Sequence, residues 1–227
     1  MEQLLGSFTC CVTRRTTQDN LPWTRAVRRI IEKPAMSVGK ALPQHVELPV
    51  EIMGHLLLAD KRTASNLHTL QAFGVTHVLN VAGRSGKVAD VDYAAASIAS
   101  LQLNAEDEEG YEIIALHLQA AMAFIEEARR ASGGRCLIHC VAGINRSGTL
   151  ATAALMLHER VNVLDAVHRV KASRRIVLEN HSFQAQLVEL ARREGLLGVR
   201  PAAEDDGQAL QSRAARKPAA DALSRLG

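Results

Sequence analysis

Between residues 51 and 193 the apolar positions come in two kinds of run that alternate along the chain. Short, nearly unbroken runs lie at 51–59 (EIMGHLLLA), 76–82 (THVLNVA), 98–103 (IASLQL) and 135–139 (RCLIH). Runs of this length and density predict strands, most of them buried on both faces. Longer stretches at 64–73, 111–130, 147–159, 164–172 and 180–193 read as helices. In the second of these, Ile113, Ile114, Leu118, Met122 and Ile125 form one apolar stripe. Gly74 and the Ser132-Gly133-Gly134 run are helix stops. Strands alternating with helical crossovers predict an α/β fold, a central, mostly parallel sheet flanked by helices.

The ends of the chain lack this pattern. Residues 1–44 mix Thr, Arg and Gln with Pro22, Pro34 and Pro43, and read as a flexible basic arm with one short helix near 24–32. The stretch 198–227 is rich in Ala, Arg and Asp and poor in β-branched residues, which predicts a disordered tail. A single catalytic-sized domain is expected at 45–197. Its size suits one core in a chain of 227 residues, and 47% hydrophobic residues exclude wholesale disorder.

Charge sharpens the division. The arm carries seven Lys/Arg against three Asp/Glu, the tail five against four, and the total of +3 therefore leaves −2 on the centre. The central domain offers no basic face for nucleic acid, and 3% aromatics weaken base stacking as a binding mode. No apolar run approaches the roughly 20 residues that cross a bilayer. Cys10 and Cys11, followed by Arg14 and Arg15, are the one route to a membrane, through S-acylation. Cys136 and Cys140 lie four apart on a strand, about 13 Å at ~3.3 Å per residue, too far for a disulfide. A reducing, cytoplasmic setting follows as the expectation. No C-x-x-C pair or histidine spacing suggests a metal, and no cofactor is expected. The stretch AGRSGKVAD fails as a nucleotide-binding loop, because Val81 replaces its first glycine and Val88 its Ser/Thr.

Chemistry concentrates in HCVAGINRSGT at 139–149. A buried strand ends at Cys140, a short loop follows, and a helix begins near Ser147, which forms a concavity of backbone N–H groups suited to an anion. Those N–H groups and the helix dipole favour a thiolate, the nucleophilic form of cysteine. Arg146 presents a planar fork for two phosphate oxygens. Gly143 can adopt positive φ and let the N–H groups of Val141, Ala142, Ile144 and Asn145 converge. Ser147 can donate to the sulfur and improve it as a leaving group.

At these residues the chain resembles the small, atypical dual-specificity phosphatases of the cysteine-dependent protein tyrosine phosphatase superfamily. The resemblance extends to THVLNVA, to LQLNAEDEEGYEII…AMAFI and to RRIVLENHSFQAQL, whose Asn-x-x-Phe-x-x-Gln-Leu spacing matches the family's last helix. It implies a protein tyrosine phosphatase-like fold and a metal-independent hydrolysis of phosphoproteins, on pTyr and pSer/pThr, through a phosphocysteine. It also implies a general acid at Asp107, 33 residues before Cys140, with Glu106, Glu108 and Glu109 as neighbours able to substitute or simply to be solvated. His139 is implied to hold the loop by hydrogen bonds rather than to act as a base. Asn180 is implied to brace the phosphate loop, and its position equally suits a helix N-cap. Glu179 and Ser182 stand where the family often has Pro and Gly. Two other readings compete: a phosphatase of a non-protein ester, against which the loop's lack of basic residues speaks, and a phosphate-binding adaptor without catalysis, against which Cys140, Arg146 and Asp107 speak together.

Overall fold

The run at 51–59 folds as a hairpin rather than a single strand. β1 (Val50–Met53) turns at Gly54 and His55 into the antiparallel β2 (Leu56–Ala59). Glycine inside an apolar run marks such a tight turn. In the computed structural model, which describes residues 5–33, 48–88 and 91–202, side chains of the first helix are described from Asp19 onward.

β3 (His77–Asn80), β4 (Ala99–Gln102) and β5 (Cys136–His139) complete a sheet of order β1-β2-β5-β3-β4, parallel everywhere except at the β1–β2 edge. The three central strands β2, β5 and β3 are buried at every position, as their unbroken apolar runs require, whereas the edge strand β4 is largely exposed. Alternation divides each strand between two layers. Leu56, Leu58, Leu79, Cys136 and Ile138 face the larger core, and Leu57, Ala59, Val78 and Leu137 the smaller.

The smaller layer holds α2 (Lys61–Ala64) and α3 (Leu67–Ala72), two short helices where the sequence reads as one. Asn66 divides them; Asp60 caps α2 and Asn66 caps α3, each accepting the N–H of the residue three further on. The larger layer contains α4 (Ile113–Arg130), α5 (Arg146–Glu159), α6 (Val163–Ser173) and α7 (His181–Arg193). α5 is buried from Arg146 to Met156 and lies between the sheet and the other three.

The arm is not loose over its described part. α1 (Leu5–Glu32) packs on α6 and α7, with Val27 and Ile31 buried and Trp23 and Ile30 against them. The short helix expected at 24–32 is thus the end of a 28-residue one, anchored because its apolar positions share one face. Cys10 and Cys11 precede the described side chains, and the tail beyond residue 202 lies outside the described residues.

Candidate active site

The carboxyl ends of the parallel strands converge on one edge of the sheet, where ligands bind in open α/β folds. β5 delivers Cys140, β2 delivers Asp60 and Lys61, β3 leads to the 3-10 turn Gly83–Gly86, and β4 leads to the acidic loop.

The loop at 140–145 is fixed by its carbonyls, all six of which find donors outside the concavity. Cys140 O meets His139 Nδ1 at 3.1 Å, and Val141 O accepts the Lys61 N–H at 3.0 Å. Ala142 O and Gly143 O accept from the Arg174 guanidinium at 3.2 and 3.5 Å. Ile144 O accepts the Leu178 N–H at 3.1 Å, and Asn145 O the Thr149 N–H at 2.8 Å. With the carbonyls turned out, the N–H groups turn in. Those of Ala142, Ile144 and Asn145 donate to no protein atom among the described residues. This is an anion nest. Gly143 makes the bend possible: its φ is +67°, and a Cβ there would stand 2.6 Å from Ala59 O.

At the floor of the nest Cys140 is 1% exposed. Its sulfur receives two hydrogen bonds of 3.2 Å, from the Gly143 N–H and from the fully buried Ser147 hydroxyl. Both donors stabilise charge on sulfur. Arg146 opens α5, and its Nη1 donates to Ala105 O at 3.3 Å and to Ser85 Oγ at 3.4 Å. Its buried Nε has no hydrogen-bond partner among the described residues and stands 3.6 Å from Asp107 Oδ2, an ion-pair contact too long for a hydrogen bond. A guanidinium edge held without a full partner beside an anion nest is placed for an incoming oxyanion.

Asp107 is brought to this point by α7. Asn180 caps that helix by accepting the Phe183 N–H, and its amide donates to Asp107 Oδ1 at 3.4 Å. The expected bracing of the phosphate loop runs the other way: the Asn145 side chain turns from the nest and accepts the backbone N–H groups of Glu179 and Asn180 at 2.8 and 3.1 Å. Asn145 therefore lines the nest only through its backbone. Glu109, exposed on the acidic loop, has a further role. Its two carboxylate oxygens accept the N–H groups of His181 and Ser182 at 3.0 and 2.9 Å, at the positive end of α7. His139 is buried and its imidazole is held below its ordinary value chiefly by desolvation, so it stays neutral at pH 7 beside Cys140 O. Cys136 faces the larger core, where burial pushes its thiol well up, and it takes no part in the site. Among the described residues no group of three or more His, Cys, Asp or Glu side chains is arranged to hold a metal ion.

The sequence did not show Arg174, the contact of Glu109 with α7 or the partners of Ser85. Arg174 and Glu109 act across more than thirty and seventy residues of separation, which no local pattern encodes.

The profile described as "Dual specificity phosphatase, catalytic domain" matches residues 56–193, more than half of the chain. The chain belongs to the dual specificity phosphatase family. It is 36% identical over 155 residues to dual specificity protein phosphatase 26 of Bos taurus, covering 68% of this chain and 71% of that one. Identity is 39% over 142 residues to dual specificity protein phosphatase 2 of Mus musculus, covering 63% and 42%. The crystal structure of human DUSP28 superposes with a TM-score of 0.59 at 30% identity, covering 66% of this chain and 97% of that one. The fold is thus that of the protein tyrosine phosphatase superfamily, and the chain is a protein phosphatase, a hydrolase whose family works through a phosphocysteine. Phosphorylated proteins are its substrates.

Proposed function

We propose that Cys140, Arg146, Asp107 and Ser147 carry the hydrolysis of phosphotyrosine and phosphoserine/threonine in proteins. The observation that carries this assignment is the Cys140 sulfur, doubly hydrogen-bonded at the floor of an anion nest with the guanidinium of Arg146 at its side. The phosphate dianion sits on the N–H groups of the loop, and Arg146 turns from Asp107 to two of its oxygens. Sulfur attacks phosphorus in line, so the S–P bond forms as the bond to the leaving oxygen breaks. That oxygen takes the proton of Asp107, which enters this step in its protonated form, parted from Arg146. Water then attacks the phosphocysteine, Asp107 accepts its proton, and sulfur departs as a thiolate stabilised by Ser147 and Gly143.

The loop side chains at 141, 142, 144 and 145 are uncharged, which favours a protein phosphomonoester over a highly charged non-protein ester. Exposed Val141 and Ile176 add an apolar rim suited to a peptide. The cysteine usage suits a cytoplasmic setting, with membrane contact confined to acylation of Cys10 and Cys11.

The leaving group tests the roles. Asp107→Asn is expected to slow alkyl and phenyl phosphates by about 10²–10⁴, the scale of general acid catalysis. The defect shrinks for aryl esters whose oxygen departs without a proton. An equal defect for every leaving group removes the acid role from Asp107.

A further inference from the structure

Of the six phosphate-loop carbonyls, four are held by backbone N–H groups, the Thr149 hydroxyl or the neighbouring His139. The other two positions depend on one side chain, Arg174, the residue that ends α6. Where Arg174 lies is fixed by where α6 ends, and there α6 is tied to a part of the chain outside the matched catalytic stretch. Lys171, in the last turn of α6, donates its ammonium to Ile31 O at 2.8 Å, one of the carbonyls left over at the C-terminus of α1. Val27 and Ile31 of α1 are themselves buried in the larger core. At the other end of the described part of α1, Asn20 donates to Glu189 Oε2 on α7 at 2.7 Å.

We propose that α1 is a positioning element for the phosphate loop, acting through Lys171 and Arg174. Docked, it fixes the end of α6 so that Arg174 holds the carbonyls of Ala142 and Gly143 outward. If those peptides rotate, a carbonyl dipole enters the nest where the phosphate belongs, and both phosphate binding and transition-state stabilisation weaken. Whatever binds or displaces α1 then sets the activity of a site it does not touch. This rests on the catalytic assignment above for its effect on turnover, but its effect on anion affinity does not.

The test is a double-mutant cycle in the full chain. Val27→Asp disrupts the docking of α1, and Lys171→Met removes the tether while keeping its aliphatic stem; Arg174→Ala removes the clasp. Calorimetry gives the affinity for inorganic phosphate, and kinetics with an aryl phosphate gives kcat and KM. Val27→Asp and Lys171→Met are expected to weaken phosphate binding and kcat/KM by roughly 2- to 30-fold, the usual range for such coupling. In the Arg174→Ala background neither is expected to add a further loss, and Arg174→Lys, which keeps a donor, is expected to recover part of it. If Val27→Asp fails to fold, Lys171→Met alone decides. Wild-type phosphate affinity in both α1 variants, or losses that multiply with that of Arg174→Ala, overturns the proposal. A wild-type protein that binds phosphate but hydrolyses no phosphomonoester contradicts the catalytic assignment instead, and the coupling is still read from phosphate affinity.

Discussion

Gly143 shows how narrowly single residues are constrained here. Its positive φ is unfavourable for any residue with a Cβ, and the atom that Cβ would strike is backbone, which cannot swing aside. Gly143→Ala is therefore expected to remove two things together: the bend that aims the N–H groups inward and the 3.2 Å hydrogen bond from Gly143 to sulfur. Phosphate affinity and turnover of an aryl phosphate should both fall at least about tenfold, the effect of losing ~1.4 kcal/mol of transition-state stabilisation. Turnover near the wild-type level in a folded Gly143→Ala protein would show that the loop does not need this bend. The nest was legible in the sequence because its parts are contiguous: a strand, a loop with one glycine and a helix start within eleven residues.

Elements were legible where a strong local pattern ran unopposed, as in α4 with its stripe and in β3 and β5 with their buried runs. The pattern failed where a short signal cut a longer one. Gly54 split a strand into a hairpin, and the cap Asn66 interrupted the stretch that reads as one helix. In α1 the apolar spacing of Trp23, Val27, Ile30 and Ile31 was the signal that this segment docks, and it was masked by the prolines and polar residues around it. The N-cap of α7 belongs to both levels, since Asn180 ends an element and holds the acid. Asn180→Ala is expected to lower stability by about 1 kcal/mol, as lost N-caps do. It should also lower kcat for leaving groups that need a proton more than for those that do not, because Asp107 loses its 3.4 Å contact. A stability loss with an unchanged leaving-group profile would leave Asn180 as a cap alone.

For the whole molecule, the response to acid follows from its half-buried and buried imidazoles. Desolvation holds His55, His117 and His139 below the ordinary 6.5, and His55 is further depressed by His158, whose ring lies 5.4 Å away. The unfolded chain takes up protons at these residues as pH falls through 6.5, while the folded chain does not. Unfolding is then favoured, so stability is full above that value and falls below it. Carboxylates act in a second, lower window. Glu126 is drawn down to about 2 by hydrogen bonds from Arg129 and Arg130, and Glu159 and Glu189 are lowered chiefly by Arg169 and Arg192. Their contribution is present above 4.5 and is lost as pH falls beneath it. Thermal unfolding followed from about pH 8 to about pH 2 should show two descending steps. A midpoint that is flat or rises between about pH 7 and 5.5 would contradict the first.

The central claim is that phosphate passes through the sulfur of Cys140, and one trapping measurement tests it most directly. An aryl phosphate with a good leaving group needs no acid to load the enzyme, but release still needs Asp107 to activate water. Asp107→Ala mixed with such an ester, quenched in acid and mapped by mass spectrometry is predicted to carry one phosphoryl group on the peptide containing Cys140, and none after Cys140→Ser. A burst of released alcohol equal to the enzyme present should accompany it. Turnover with no phosphoryl adduct, or an adduct on any other residue, would contradict the account.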